Sequence, residues 1–211
     1  MGRRSDHTRE ELAALVVGAA SAIAAREGLR GIAMRRIAER IGYAPGSIYN
    51  AVGDLDDVVL RVNAATLLAL AAQLEAELVK AGDVVPAERA LVLAEAYLDY
   101  VSQHHLLWGV LLEHRLPPGR SLPGWFIASR DRPVQIVLQA LGPLFPGSTA
   151  DRRRAVLTLW AALQGVVSMV IGRTLSSLAD RTEPRRLVRL LVGRYVTGSS
   201  PAGWFGAKSL D

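Results

Sequence analysis

The chain has 211 residues, 50% of them hydrophobic and 21% charged, and no cysteine. That mix excludes a disordered chain and allows one or two domains with a sizeable core, while the missing cysteine excludes disulfides and thiolate metal sites and is compatible with a reducing cytosol. Net charge is +5, and residues 1 to 50 hold eight Arg against five acids, so +3 of it lies at the front; a front that meets a polyanion has this bias, although an ordinary solvated face gives it too.

The elements follow in chain order. "MGRRSDHTREE" is charged, with no signal-like apolar segment behind it. Thr8 followed by Glu11 makes a capping box. Leu12, Leu15, Val16, Ala19 and Ile23 then recur at helical spacing, which predicts an amphipathic helix over 8–27 that ends at Gly28. A short helix follows over about 33–41, with Met34, Ile37, Ala38 and Ile41 on one face. Gly42 supplies a turn, and a third helix runs over about 44–51 with Pro45 in its first turn, where a missing N–H costs nothing. Asp54 caps a long helix to about residue 80, with Asp56 and Asp57 at its positive end.

Beyond it the pattern stays helical: 86–103, 104–115, 125–142 with Pro133 as a possible kink, 149–179 and 183–197. "LPPGRSLPG" and "GPLFPGSTA" are breaks, and the tail 198–211 is expected to be loosely held. No strand alternation and no repeat is found, so the fold class is all-α. The run "AVLTLWAALQGVVSMVIG", 155–172, is borderline for a membrane span; Thr158, Gln164 and Ser168 dilute it, so it reads as a buried helix of a soluble bundle, with no membrane partner.

A helix-turn-helix needs a small residue where two short helices approach, a turn residue tolerant of the left-handed conformation, and apolar residues on the buried faces. Ala38, Gly42, and Ile37, Ile41 and Ile48 meet those needs in order. The helix after the turn then exposes Ala44, Pro45, Gly46, Ser47, Tyr49 and Asn50. Ser47 and Tyr49 suit phosphates, Pro45 and Asn50 suit base edges, and Gly46 lets backbone come close to DNA. A plain helical hairpin inside a bundle is the bland alternative.

The stretch "IAERIGYAPGSIYNAVGDLDDVVL" resembles the DNA-binding domain of the TetR family of bacterial transcriptional regulators, through Ile37, Ala38, Gly42, Gly46, Ser47, Ile48 and Tyr49. The match covers roughly residues 8 to 60. The resemblance implies a homodimer that sets its third helix in the major groove of a palindromic operator. It implies a DNA-binding domain over 1–53, a C-terminal effector-binding and dimerisation domain over 54–197 reached through the long helix 54–80, and an effector that changes operator affinity, more often releasing a repressor. "LLWGVLLEHRLPPGRSLPGWF" and "LWAALQGVVSM" are similar to a branch with Leu-Trp, a Pro-x-Trp loop end and a late His-Gly pair, Gln164 standing here for the His.

Three positions depart from the family pattern. Ala33 stands where a capping Thr is usual, a loss of about 0.5–2 kcal/mol. Val52 replaces an aromatic residue. Leu55, between Asp54 and Asp56, replaces a phosphate-binding Lys. Arg35 and Arg36 on the second helix, with Arg3, Arg4 and Arg9 on the arm, are expected to compensate.

Tyr97, Tyr100, Trp108, Trp125 and Trp160 read either as core packing or as the wall of a pocket for a small hydrophobic effector, with Gln164 as its polar group. The dimer interface is expected on the last two helices through Trp160, Gly165, Ser168 and Gly172. His104, His105 and His114 lack metal-site spacing, and no nucleophile elbow or phosphate loop occurs, so neither a metal, a cofactor nor an enzyme is expected. The expected function is a cytoplasmic, ligand-responsive DNA-binding regulator. The alternatives are a regulator of the same fold that answers to a partner protein or to nothing, and a helical interaction protein that binds no DNA.

Overall fold

A computed structural model describes residues 7–172 and 183–198. The described residues hold α-helices and two 3-10 turns and no strand: α1 (Arg9–Glu27), α2 (Met34–Ile41), α3 (Pro45–Val52), α4 (Leu55–Ala81), α5 (Pro86–Gln103), α6 (His105–Glu113), α7 (Gly124–Leu141), α8 (Thr149–Ile171) and α9 (Pro184–Thr197), with turns at Leu29–Gly31 and Gly142–Leu144. The all-α expectation holds. Arg3 and Arg4, residues 173–179 of the expected eighth helix, and residues 199–211 of the expected tail lie outside the described residues.

Packing divides the chain into two units: residues 1–69 with 104–131, and residues 70–103 with 132–211. The grouping differs from a division of packing at residue 53. The start of α4 and part of α6 share the core of the N-terminal helices, because Val110 and Leu107 of α6 and Val58, Val59 and Val62 of α4 fill it.

In the first unit α1 opens on the capping box read from the sequence. Thr8 Oγ1 accepts from the Glu11 N–H at 3.2 Å, and Glu11 Oε2 accepts from the Thr8 N–H at 2.7 Å. Leu12, Val16, Ala19 and Ile23 face inward, but Leu15 is 39% exposed, one step off the stripe. Helix α2 starts at Ala33 with no side-chain cap. Met34, Ile37 and Ala38 bury its inner face, whereas Ile41 is only half-buried. Gly42 closes α2 at φ 73° and ψ 26°, left-handed values that a Cβ would penalise. Helix α3 follows with Pro45 in its first turn and buries Ile48, Ala51 and Val52. Val52 is 4% exposed, so the smaller residue is accommodated in a closed core.

In the second unit α5 buries Leu93, Ala94, Tyr97, Leu98 and Val101. Helix α8 is capped by Ser148 and Asp151. It buries Val156, Leu159, Leu163 and Val167 and leaves most of its other side chains open. Helix α9 is pinned to α5 by ion pairs: Arg185 Nη2 donates to both carboxylate oxygens of Asp99 at 2.7 and 2.8 Å, and Arg189 Nε to Glu95 Oε1 at 2.6 Å.

Candidate functional site

The turn and α3 make an exposed edge in the first unit. Ile48 is fully buried beneath it, which turns Ala44, Pro45, Gly46, Tyr49 and Asn50 outward; Ser47 is half-buried. Tyr49 is 49% exposed. A helical glycine costs about 1 kcal/mol relative to alanine, and a Cβ added at Gly46 would meet no atom within 4 Å. The same open space lies over Gly18 of α1, Gly165 of α8 and Gly193 of α9, so Gly46 is one of several helical glycines with room for a side chain. A groove beside this edge is lined by Arg35, Ala38, Glu39, Gly42, Tyr43, Ala44 and Pro45.

The arginines around the edge divide into free and committed. Arg35 has a side chain 87% exposed and pairs only along its own helix, with Nε donating to Glu39 Oε1 at 2.9 Å. Arg36 is exposed too, but it is committed to another element: its guanidinium forks onto Glu27, Nη1 to Oε2 at 2.6 Å and Nη2 to Oε1 at 2.5 Å, and Nη1 also donates to the Gly31 carbonyl at 3.0 Å. Arg36 hydrogen-bonding holds the Glu27 carboxyl below the usual carboxylate range. The two arginines expected side by side therefore differ, because the 3-10 turn brings Glu27 under Arg36 alone. Arg9 Nε reaches the Ala51 carbonyl at 3.4 Å, and the Tyr43 hydroxyl meets His7 Nδ1 at 2.5 Å. Both contacts tie the chain around α1 to the second and third helices.

The acids beside Leu55 are not bare. Arg120, from the loop before α7, donates from Nη1 to Asp54 Oδ2 at 2.7 Å and from Nη2 to Asp57 Oδ1 at 2.6 Å, and its Nη1 lies 3.4 Å from Asp56 Oδ2. His114 Nε2 lies 2.9 Å from Asp56 Oδ1. Arg120 keeps the Asp54 carboxyl below its ordinary range. Sequence reasoning missed this cluster because its partners lie 58 to 66 residues apart. Among the described residues no three potential ligands are arranged for a metal ion.

The aromatic residues expected in one pocket are split. A cavity in the second unit is lined by Leu74, Ala90, Leu93, Ala94, Tyr97, Val137, Leu141, Val156, Leu159, Trp160 and Leu163. Tyr97 and Trp160 meet with ring centroids 4.9 Å apart. The Tyr97 hydroxyl donates to Gln164 Oε1, and Gln164 Nε2 donates to Ser168 Oγ at 3.3 Å. Burial pushes the Tyr97 hydroxyl well above its ordinary range and that of Tyr100 up to about 12, so both stay neutral. Tyr100 is buried but does not line the cavity.

Trp108 and Trp125 belong to the first unit. Trp108 is buried there, and Trp125, 41% exposed, lies under the Arg61 guanidinium at 5.2 Å. Neither lines the cavity, because the 104–131 segment folds with the N-terminal helices. Of the four residues expected at a subunit interface, Gly165, Ser168 and Gly172 are exposed on α8, whereas Trp160 is half-buried and turned to Tyr97.

Residues 91–195 match the model of the tetracyclin repressor-like C-terminal domain. No curated protein matches the sequence. The fold is similar to that of a Rhodococcus protein of unknown function, at TM-score 0.72 and 19% identity over 94% of this chain and 99% of that one. It is also similar to the fatty acid degradation regulator FadR from Bacillus halodurans, at TM-score 0.65 and 16% identity over 88% and 98%. The TetR family transcriptional regulator PfmR from Thermus thermophilus matches at TM-score 0.57 and 17% identity over 86% and 97%. The C-terminal domain match, together with the capped three-helix module in front of it, makes this chain a member of the TetR family of bacterial transcriptional regulators.

Proposed function

We propose that the chain is a cytoplasmic homodimeric regulator that binds palindromic DNA through residues 1–53. In this reading α3 enters the major groove. Pro45 and Asn50 face base edges, Ser47 and Tyr49 meet phosphates, Ala44 and Gly46 let backbone approach, and Arg35 adds a phosphate contact from α2. Arg36 has a smaller part than its position suggests, since Glu27 already holds it. The observation that carries the reading is the two-sided build of α3, with Ile48 fully buried beneath and Pro45, Tyr49 and Asn50 exposed above. Selection of binding sites from a random duplex library tests it. A palindromic consensus with salt-sensitive binding is expected, and no enrichment over random sequence overturns it.

Residues 54–197 dimerise and hold the effector site. Gly165 supports the first role: it is exposed, a Cβ there would meet nothing within 4 Å, and beyond the buried stripe of α8 Val166, Met169 and Val170 are only half-buried and Leu157 is exposed. A two-fold partner covers such a face and allows close helix approach. For the second role, the cavity beside Tyr97 offers apolar walls, no charged group, and one polar pair at its edge. That chemistry suits an uncharged, largely apolar molecule whose binding releases a repressor from its operator.

A second reading, a regulator with no small-molecule effector, draws on the size of the same cavity. Its free space is about 20 Å³ at the scale of a water molecule, room for about one water, whereas ligand sites run to about 300–1,000 Å³. An effector would have to part Tyr97, Trp160 and Leu163. A thermal-shift screen of apolar compounds separates the two, since a ligand that stabilises the protein and releases the selected duplex supports the effector reading.

A further inference from the structure

The corner between α3 and α4 carries a device that neither its sequence neighbourhood nor the DNA-facing residues account for. One residue, Gly53, separates the end of α3 from the acids that open α4. Its φ is 91°, and a Cβ there would lie 2.2 Å from Asp57 Oδ2. Asp54 and Asp57 cap each other, with the Asp57 N–H donating to Asp54 Oδ1 at 3.0 Å and the Asp54 N–H to Asp57 Oδ2 at 3.1 Å. Arg120 forks across both caps, and His114 takes Asp56 from the other end of the same loop. The 114–120 segment is thus pinned at both ends to the acidic run that opens α4.

Partly exposed ion pairs of this kind contribute little to stability, but a planar guanidinium spanning two carboxylates fixes geometry. Arg120 is 29% exposed, Asp57 27% and Asp54 55%, so the cluster is neither deeply buried nor freely solvated. It joins the start of α4 to the 114–120 segment, one residue beyond the end of α3.

We propose that Arg120 is a positioning residue for DNA recognition: it clamps the Asp54–Asp57 caps and so holds the C-terminal end of α3 at the angle the groove requires. The proposal rests on the DNA-binding reading above. It also differs in sign from a pure charge effect. If the acids mattered only as charges beside a polyanion, neutralising them would tighten binding. If they matter as the anchor of the clamp, neutralising them loosens it.

The test is an anisotropy titration of the library-selected palindromic duplex with wild-type protein, Arg120→Ala, Arg120→Lys, the pair Asp54→Asn with Asp57→Asn, and that pair combined with Arg120→Ala. Asn caps a helix about as well as Asp, so the pair leaves the caps in place. Arg120→Ala and the Asn pair are each expected to weaken binding about tenfold, and their combination no further, as coupled residues behave. Arg120→Lys falls between, because an ammonium does not fork across two carboxylates. Wild-type affinity in Arg120→Ala, or tighter binding by the Asn pair, overturns the proposal.

Amide exchange measured on the same proteins reads the clamp without DNA. Faster exchange over residues 45–57 in Arg120→Ala and Arg120→Lys, with α1 unchanged, is the expected result, and unchanged exchange there sinks the clamp. Should wild-type protein bind no selected duplex while the exchange result holds, the DNA reading fails and the clamp survives as an internal constraint with no role in recognition, which also overturns the proposal as stated.

Discussion

Helix α3 is eight residues long and α8 is 23, and they relate to their surroundings in opposite ways. Around α3 each terminus is fixed: Gly42 and Pro45 set its start, Gly53 its end, and Ile48 anchors its inner face. Its outward residues are polar or small apart from the exposed ring of Tyr49. Helix α8 has one strong cap and a buried stripe of Val156, Leu159, Leu163 and Val167, and then open apolar residues such as Leu157. A helix presented to DNA needs its direction fixed more than its surface covered. A helix that meets a second subunit needs the reverse. The contrast teaches where to look for function in each unit: in the bracketing residues of one, and in the uncovered face of the other.

The largest effect that could break this comparison comes from the anchor. Ile48→Ala is expected to lower stability by about 2–5 kcal/mol, the range for emptying a fully packed core position, measured by chemical denaturation. A loss under about 1 kcal/mol would mean that α3 is not held from beneath. Next is Gly165→Glu, which sets a charge on the open face of α8. It should weaken self-association by about 2 kcal/mol or more, as a central interface residue does, seen as monomers in sedimentation velocity while the helical content is unchanged. Dimers of wild-type strength would move the interface elsewhere.

A finer contrast lies within α2. Arg35→Ala should lower the salt slope of operator binding by about one unit, whereas Arg36→Ala leaves the slope unchanged, because Glu27 already engages that guanidinium. Equal slopes in both variants would erase the distinction between free and committed arginines. The smallest effect is on pH. The folded-state carboxyls of Asp54, Glu11 and Asp151 lie below their ordinary values, through Arg120 for the first and capping hydrogen bonds for the other two. A depressed carboxyl adds stability that is present above its unfolded pKa and is lost as pH falls. The melting temperature should therefore decline gently as pH drops from about 5 to about 3. A flat profile there would assign the caps no net role.

Much of the first unit is legible in the sequence because its signals are local. Thr8 and Glu11 lie three residues apart, and Ala38, Gly42 and Ile48 fall within a dozen residues. What was hidden depends on contacts between elements that no capping or periodicity signal marks. The loop that carries Arg120 folds onto α4, which no periodicity reveals. Arg36 looks like Arg35 until the 3-10 turn sets Glu27 against it. Trp108 and Trp125 lie in sequence among bundle helices yet fold with the N-terminal ones, so an aromatic count misplaced them. Leu15 shows the limit of periodicity itself, since one residue's rotation decides whether a leucine is covered.

The two glycines at φ 73° and 91° also say something about how such a protein can change. Between Gly42 and Gly53 the fully buried side chains are Ile48, Ala51 and Val52, Tyr43 and Ser47 are half-buried, and Pro45, Tyr49 and Asn50 are exposed. The segment is separable. Replacing Pro45, Ser47, Tyr49 and Asn50 while keeping the glycines and the inner three would rewrite what is read and leave the fold intact. On the proposed DNA-binding reading, a change of target is then a matter of about four codons, while Gly42, Gly53 and the buried three keep the scaffold.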